Sequence, residues 1–170
     1  MGTVAAVVLA AGEASRFGSP KQQLLLPRVL ERLFETSVHE IVVVAGAYAV
    51  EAPGARVVSC AEWERGPGAS LRCGLAALDD EVEAAVVVLA DGPNLAPAAV
   101  ERVLAEWRRS GGVVAASYSG SRGHPLVLDR DDWSLVPDEG LRSLSVTLVP
   151  CDDLGAPGDV DTPGDLGIWE

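Results

Sequence analysis

The chain has 170 residues, of which 48% are apolar, and carries a formal charge of −12 with a pI near 4.5. That length and composition suit one domain with a sizeable core, while the acid excess excludes nucleic acid or an anionic membrane as the main partner, since both need basic surfaces. No apolar run approaches the ~20 residues that span a bilayer, and Cys60, Cys73 and Cys151, odd in number and without a Cys-x-x-Cys pair, read as reduced thiols of a cytoplasmic protein.

The first apolar run, Val4 to Leu9, predicts a buried strand, with no basic segment before it to suggest a signal peptide. It opens into Ala10-Ala11-Gly12-Glu13-Ala14-Ser15-Arg16-Phe17-Gly18-Ser19-Pro20-Lys21, a loop of small residues and two cations, one of them the sole lysine of the chain. Leu24-Leu25-Leu26-Pro27 leads to a helix expected near 28–37, with Leu30, Leu33 and Phe34 on one face. Ile41 to Val44 is β-branched at successive positions, as in a strand buried on both faces. A short strand over 56–59 follows, then the turn Trp63-Glu64-Arg65-Gly66-Pro67-Gly68 and a helix from about Ala69 with Leu71, Leu75 and Leu78 as its stripe. Ala84 to Ala90 is a further apolar strand, ending at Asp91-Gly92-Pro93. The helix expected over 97–109 places Val100, Val103, Leu104 and Trp107 at helical spacing, with Pro97 in its first turn. Strands are expected at 113–118, 126–128 and 146–149, a helical piece around 140–144, and a turn at 158–166. This alternation predicts a doubly wound α/β sheet, mostly parallel.

Ligands of such a sheet sit outside the carboxyl ends of its strands. The loop after the first strand can offer backbone N–H groups and the Arg16 and Lys21 cations to phosphate, or be a plain strand-to-helix turn. It is neither a Walker A loop nor a dinucleotide fingerprint, because the glycine spacing fits neither. Asp91 can hold Mg²⁺, which takes one or two carboxylates plus substrate phosphates, or cap the turn before Pro93. The helix start near Ser70 can meet a phosphate, or belong to a tight loop plugged by Trp63. Asp161 alone reads as a capped helix start, His124 as a residue at the stiff, exposed entry to a strand, and His39 as surface.

The motifs LAAGEASRFGSPK (9–21), WERGPGASLRCGL (63–75), LADGPNL (89–95), RGHPLVL (122–128), DEGLR (138–142) and DVDTPGDL (159–166) resemble, in order, those of the MobA-like nucleotidyltransferases. The SLRxGL and GHP elements are most similar to the molybdenum cofactor cytidylyltransferase branch. The resemblance implies a single domain over 1–170 with a three-layer, Rossmann-like fold. It implies a nucleoside triphosphate, CTP before GTP, over Leu9, Ala10, Ala11 and Gly12, with Arg16 and Lys21 on the triphosphate. Mg²⁺ would be held by Asp91 and Asp161, and Ser70, Arg72 and His124 would contact nucleotide or pterin. The implied acceptor is the phosphate of a molybdopterin-type cofactor, and the implied protein partner a molybdoenzyme or its chaperone. Other readings keep the chemistry with GTP or another phosphorylated acceptor, or retain binding without turnover. The chain departs from the family pattern after Lys21, where a Gly-x-Pro-Leu turn is absent.

Overall fold

The computed structural model describes residues 3–11, 21–46 and 49–158, with the side chains of 21–24 left aside. Among these residues, seven strands form one sheet: β1 (Thr3–Ala10), β2 (Glu40–Ala45), β3 (Arg56–Ser59), β4 (Val82–Leu89), β5 (Val113–Tyr118), β6 (Ser121–Asp129) and β7 (Thr147–Pro150), in spatial order β3-β2-β1-β4-β6-β5-β7. Pairs β1–β2, β1–β4, β2–β3 and β5–β7 are parallel, and β6 runs antiparallel to both β4 and β5. The sheet is therefore mostly parallel and mixed, as expected.

Among the described residues, three α-helices cover the sheet: α1 (Lys21–Phe34), α2 (Pro67–Ala76) and α3 (Pro97–Ser110). The period-two geometry of a strand explains the layering. Val4, Ala6 and Val8 of β1 pack with Leu26, Val29 and Leu33 of α1 and with Val100, Val103 and Leu104 of α3. Ala5 and Val7 face the opposite way, into a second core with Leu71 and Leu75 of α2. The central strands are buried on both faces, so their sequences are continuously apolar rather than alternating.

Several local expectations are corrected. Helix α1 begins at Lys21, seven residues earlier than expected, and carries Pro27 inside it. Leu25, Leu26, Val29, Leu30 and Leu33 are all buried, and burying five large side chains at about 1.5–3 kcal/mol each outweighs the ~3 kcal/mol cost of an interior proline. Phe34 leaves the stripe and is 53% exposed, its ring lying over Gly54. Residues 140–144 form turns rather than a helix, and a 3-10 helix over Arg130–Leu135 was not expected. Cys60 and Cys73 form a disulfide, which corrects the reading of all three cysteines as thiols and removes cysteine usage as an argument for a reducing compartment. Cys151 is free and buried. Among the described residues no helix is long and apolar enough to cross a membrane.

Candidate functional site

At the carboxyl edge of the sheet, β1 ends at Ala10 and β4 at Leu89, just before Asp91. The two strands pair in register from Val4–Ala84 to Leu9–Leu89, and Ala90 N–H donates to Leu9 O at 3.0 Å, so these ends lie side by side. Strand β6 runs the other way, so its first residues, not its last, reach the same edge. Its last pairing with β4 is Val87–Leu126, two residues short of both Leu89 and His124. The Asp91 carboxylate lies near enough to His124 to favour its imidazolium.

Two adjoining cavities open here, sharing Leu9, Pro67 and Leu89 as a common wall. The smaller, about 320 Å³, is lined by Ala11, Trp63, Glu64, Gly66, Ser70 and Asp91 as well. Ser70 is buried at the start of α2, and Trp63 packs half-buried beside it against the second core. The larger, about 580 Å³, has an apolar floor that includes Leu71, Val87, Leu95 and Leu126, with Tyr118, Arg122, His124 and Arg142 as its polar groups and Glu139 opposing the arginines.

His124 is not the exposed entry expected from its glycine and proline neighbours. It lies within β6, half-buried, and its remaining exposure is to the larger cavity. Burial pushes its pKa down to about 4, against a smaller opposing pull from Asp91, so the imidazole is neutral at pH 7. Tyr118, which the sequence did not single out, donates its hydroxyl to His124 O at 2.8 Å. Its ring packs on Gly123, where a Cβ would lie 3.0 Å away. Burial raises the phenol pKa to about 12, so it remains a donor. The one sequence signal for Tyr118 was its place at the end of an apolar strand.

Arg72 lines neither cavity. Its guanidinium donates to Val136 O at 2.6 Å and to the Asp138 carboxylate, a hold on the 136–138 segment. Arg65 donates to the other Asp138 oxygen at 3.0 Å. Arg72 first and Arg65 second hold the Asp138 carboxyl below the usual carboxylate range. Ala10 also misses both cavities, with its side chain buried in the core shared with α1 and α3. Leu9, Ala11, Ser70 and Asp91 line the smaller cavity, and Leu9 and His124 line the larger. Gly12, Arg16 and Asp161 lie outside the described residues, as does the side chain of Lys21, whose backbone opens α1. Residues 156–158 return beside the Asp91 turn, where Asn94 N–H donates to Pro157 O at 3.0 Å.

Asp91 and Glu64 are the carboxylates among the described residues that line the smaller cavity, and no cluster of three metal-ligating side chains occurs among the described residues. A carboxylate such as Asp91 in this lining is the kind of oxygen donor that suits Mg²⁺ or Mn²⁺, which complete their shells with substrate oxygens and water.

A doubly wound sheet with a crevice at its carboxyl edge, beside the start of a helix, is the architecture of a nucleotide-binding α/β domain. The sequence matches the MobA-like NTP transferase domain over residues 6–147, and the chain belongs to that nucleotidyltransferase family. The fold is similar to that of an Rv0371c homologue from Mycobacterium sp. strain JC1, with 26% identity, a TM-score of 0.80, and 98% of this chain and 94% of that one covered. It is also similar to Rv0371c of Mycobacterium tuberculosis in complex with manganese (24% identity, TM-score 0.77, 98% and 97% covered). A CMP:2-keto-3-deoxy-manno-octonic acid synthetase complexed with CTP shares the fold at 15% identity (TM-score 0.71, 98% and 96% covered). No curated protein matches the chain.

Proposed function

We propose that the protein is a divalent-metal-dependent nucleotidyltransferase that moves a nucleoside monophosphate, from CTP before GTP, onto the phosphate of a molybdopterin-type acceptor with release of pyrophosphate. The observation that carries this reading is the pair of adjoining cavities with Asp91 at one side and His124, Arg122 and Arg142 at the other. A donor in the smaller cavity and an acceptor in the larger would meet across Leu9, Pro67 and Leu89. The family supports nucleotidyl transfer, the CTP complex of the synthetase supports a cytidine donor, and the GHP and SLRxGL motifs favour the pterin acceptor.

In this mechanism an acceptor phosphate oxygen attacks the α-phosphorus in line as the bond to pyrophosphate breaks. The attacking oxygen is already anionic, so no general base is required, and positioning and charge stabilisation supply the rate. The backbone at Leu9 to Ala11 and Gly12 receives the nucleoside, Ser70 presents its hydroxyl and the α2 start to the phosphates, and Arg16 and Lys21 hold the triphosphate. Asp91, with Asp161, would hold Mg²⁺ or Mn²⁺, which would neutralise phosphate charge and stabilise the departing pyrophosphate. Neutral His124 offers a hydrogen bond to the acceptor without adding charge.

The test is pyrophosphate release from CTP, GTP or ATP with molybdopterin, with and without Mg²⁺ or Mn²⁺. Asp91→Asn is expected to lower kcat by about 10²–10³ with the thermal midpoint little changed. Metal-independent turnover, or full activity of the variant, would overturn the roles assigned here.

A further inference from the structure

The wall of the larger cavity opposite β6 is a segment without helix or strand, yet its backbone is held at both ends. From one side, Gly68 N–H at the start of α2 donates to Asp138 O at 2.8 Å, Arg72 donates to Val136 O, and Arg65 and Arg72 divide the Asp138 carboxylate between them. From the other, Arg122 of β6 donates to Leu141 O at 2.9 Å and to Leu144 O at 3.1 Å. The approach is so close that a Cβ at Gly66 would overlap Asp138 O and one at Gly68 would overlap Pro137 O. Between these two anchorages lie Glu139 to Arg142, all four of which line the cavity.

Three arginines are thus committed to fixing four residues, and those four end in an arginine of a different kind. Arg142 is exposed, lines the cavity, and makes no ion pair or hydrogen bond among the described residues. Exposed ion pairs add little to stability, so the Arg65–Asp138–Arg72 network is poorly explained as a device for holding the fold together. It does fix where the next turn of chain points.

We infer that Asp138 is a positioning residue for the acceptor: clamped by Arg65 and Arg72, it sets the 139–142 turn so that Arg142 faces the anionic group of an acceptor in the larger cavity. This rests on the transferase reading for the identity of the ligand, but the clamp itself does not. A guanidinium held in place before the ligand arrives loses less freedom on binding than one on a loose turn. The network therefore acts on acceptor affinity and leaves the donor pocket and the bond-making step alone.

Two measurements decide it. Hydrogen exchange reads the clamp without any substrate: Asp138→Ala is expected to raise amide exchange across 136–144 at least tenfold, with 71–76 of α2 unchanged. Unaltered exchange in the segment would overturn the clamp. Steady-state kinetics with CTP and molybdopterin read its purpose. Asp138→Ala is expected to raise KM for molybdopterin at least tenfold and leave kcat and KM for CTP within twofold, with Asp138→Glu recovering most of the loss. Equal rises in both KM values, or a loss confined to kcat, would overturn the positioning role. Absence of turnover in the wild-type protein would instead refute the transferase reading, and the exchange result would then decide the clamp alone.

Discussion

A neutral imidazole at the edge of a cavity is costly to protonate, and His124 makes that cost measurable. In an unfolded chain it titrates at its ordinary value of 6.5, whereas in the fold burial lowers the value to about 4 despite the nearby Asp91. Between those two pH values the unfolded chain binds more protons, so stability falls as pH falls through the window and is unaffected by this group above it. The full effect is on the order of 3 kcal/mol. Urea unfolding in metal-free buffer at pH 7.5 and 4.5 should show a smaller acid loss for His124→Gln than for the wild type. Equal losses would mean that the imidazole is not buried in neutral form. The same residue shows what local sequence can hide. Gly123 and Pro125 suggested an exposed entry to a strand, but β6 continues through them because the Tyr118 ring covers Gly123 and its hydroxyl holds His124 O.

Helix α2 illustrates how one element serves several parts of the site. Its apolar stripe, Leu71 and Leu75, seats it on β1, its glycine-rich start admits the 137–138 backbone, and Ser70 reaches the smaller cavity. Cys73 joins it to Cys60, just beyond β3, across a separation of 13 residues. Closing a loop of about that length stabilises a fold by about 3 kcal/mol in the chain-entropy account. Reduction with dithiothreitol, or Cys73→Ser, should therefore lower the thermal midpoint by several degrees, and an unchanged midpoint would remove the bridge from the stability account. The hydrophobic period made α2 and its stripe readable in the sequence. It could not show that Arg72, on the same helix, reaches a carboxylate 66 residues away, because periodicity assigns a face and not the partner opposite it. Helix α1 was misplaced for a related reason: Pro27 reads locally as a boundary, and the five buried side chains that override it are visible only once α1 is packed on β1.

Across the whole molecule the charge of −12 sets the terms on which an anionic substrate can bind. Local cations and a divalent ion must offset a field that repels a triphosphate. Nucleotide binding should accordingly depend on metal: with CTP and Mg²⁺ at a hundredfold excess over Kd the folded state gains about 2.7 kcal/mol, read as a rise in thermal midpoint. An equal rise without metal would count against the Asp91 site, and a larger rise with GTP would move the donor assignment to guanosine.

The α/β class, the continuous Val- and Ala-rich strands and the family motifs were all legible in the chain, because strand and helix periods and glycine-rich turns are local properties. So was the convergence of Leu9, Ala11, Ser70 and Asp91, since any parallel sheet of this order gathers strand ends at one edge. The reversed direction of β6, which turns His124 toward Asp91, was settled by strand pairing at long range. So were the Cys60–Cys73 bridge and the grip of Arg65 and Arg72 on Asp138. Each joins residues that no local pattern relates, and each forms only after the packed core has brought the backbones that carry them together.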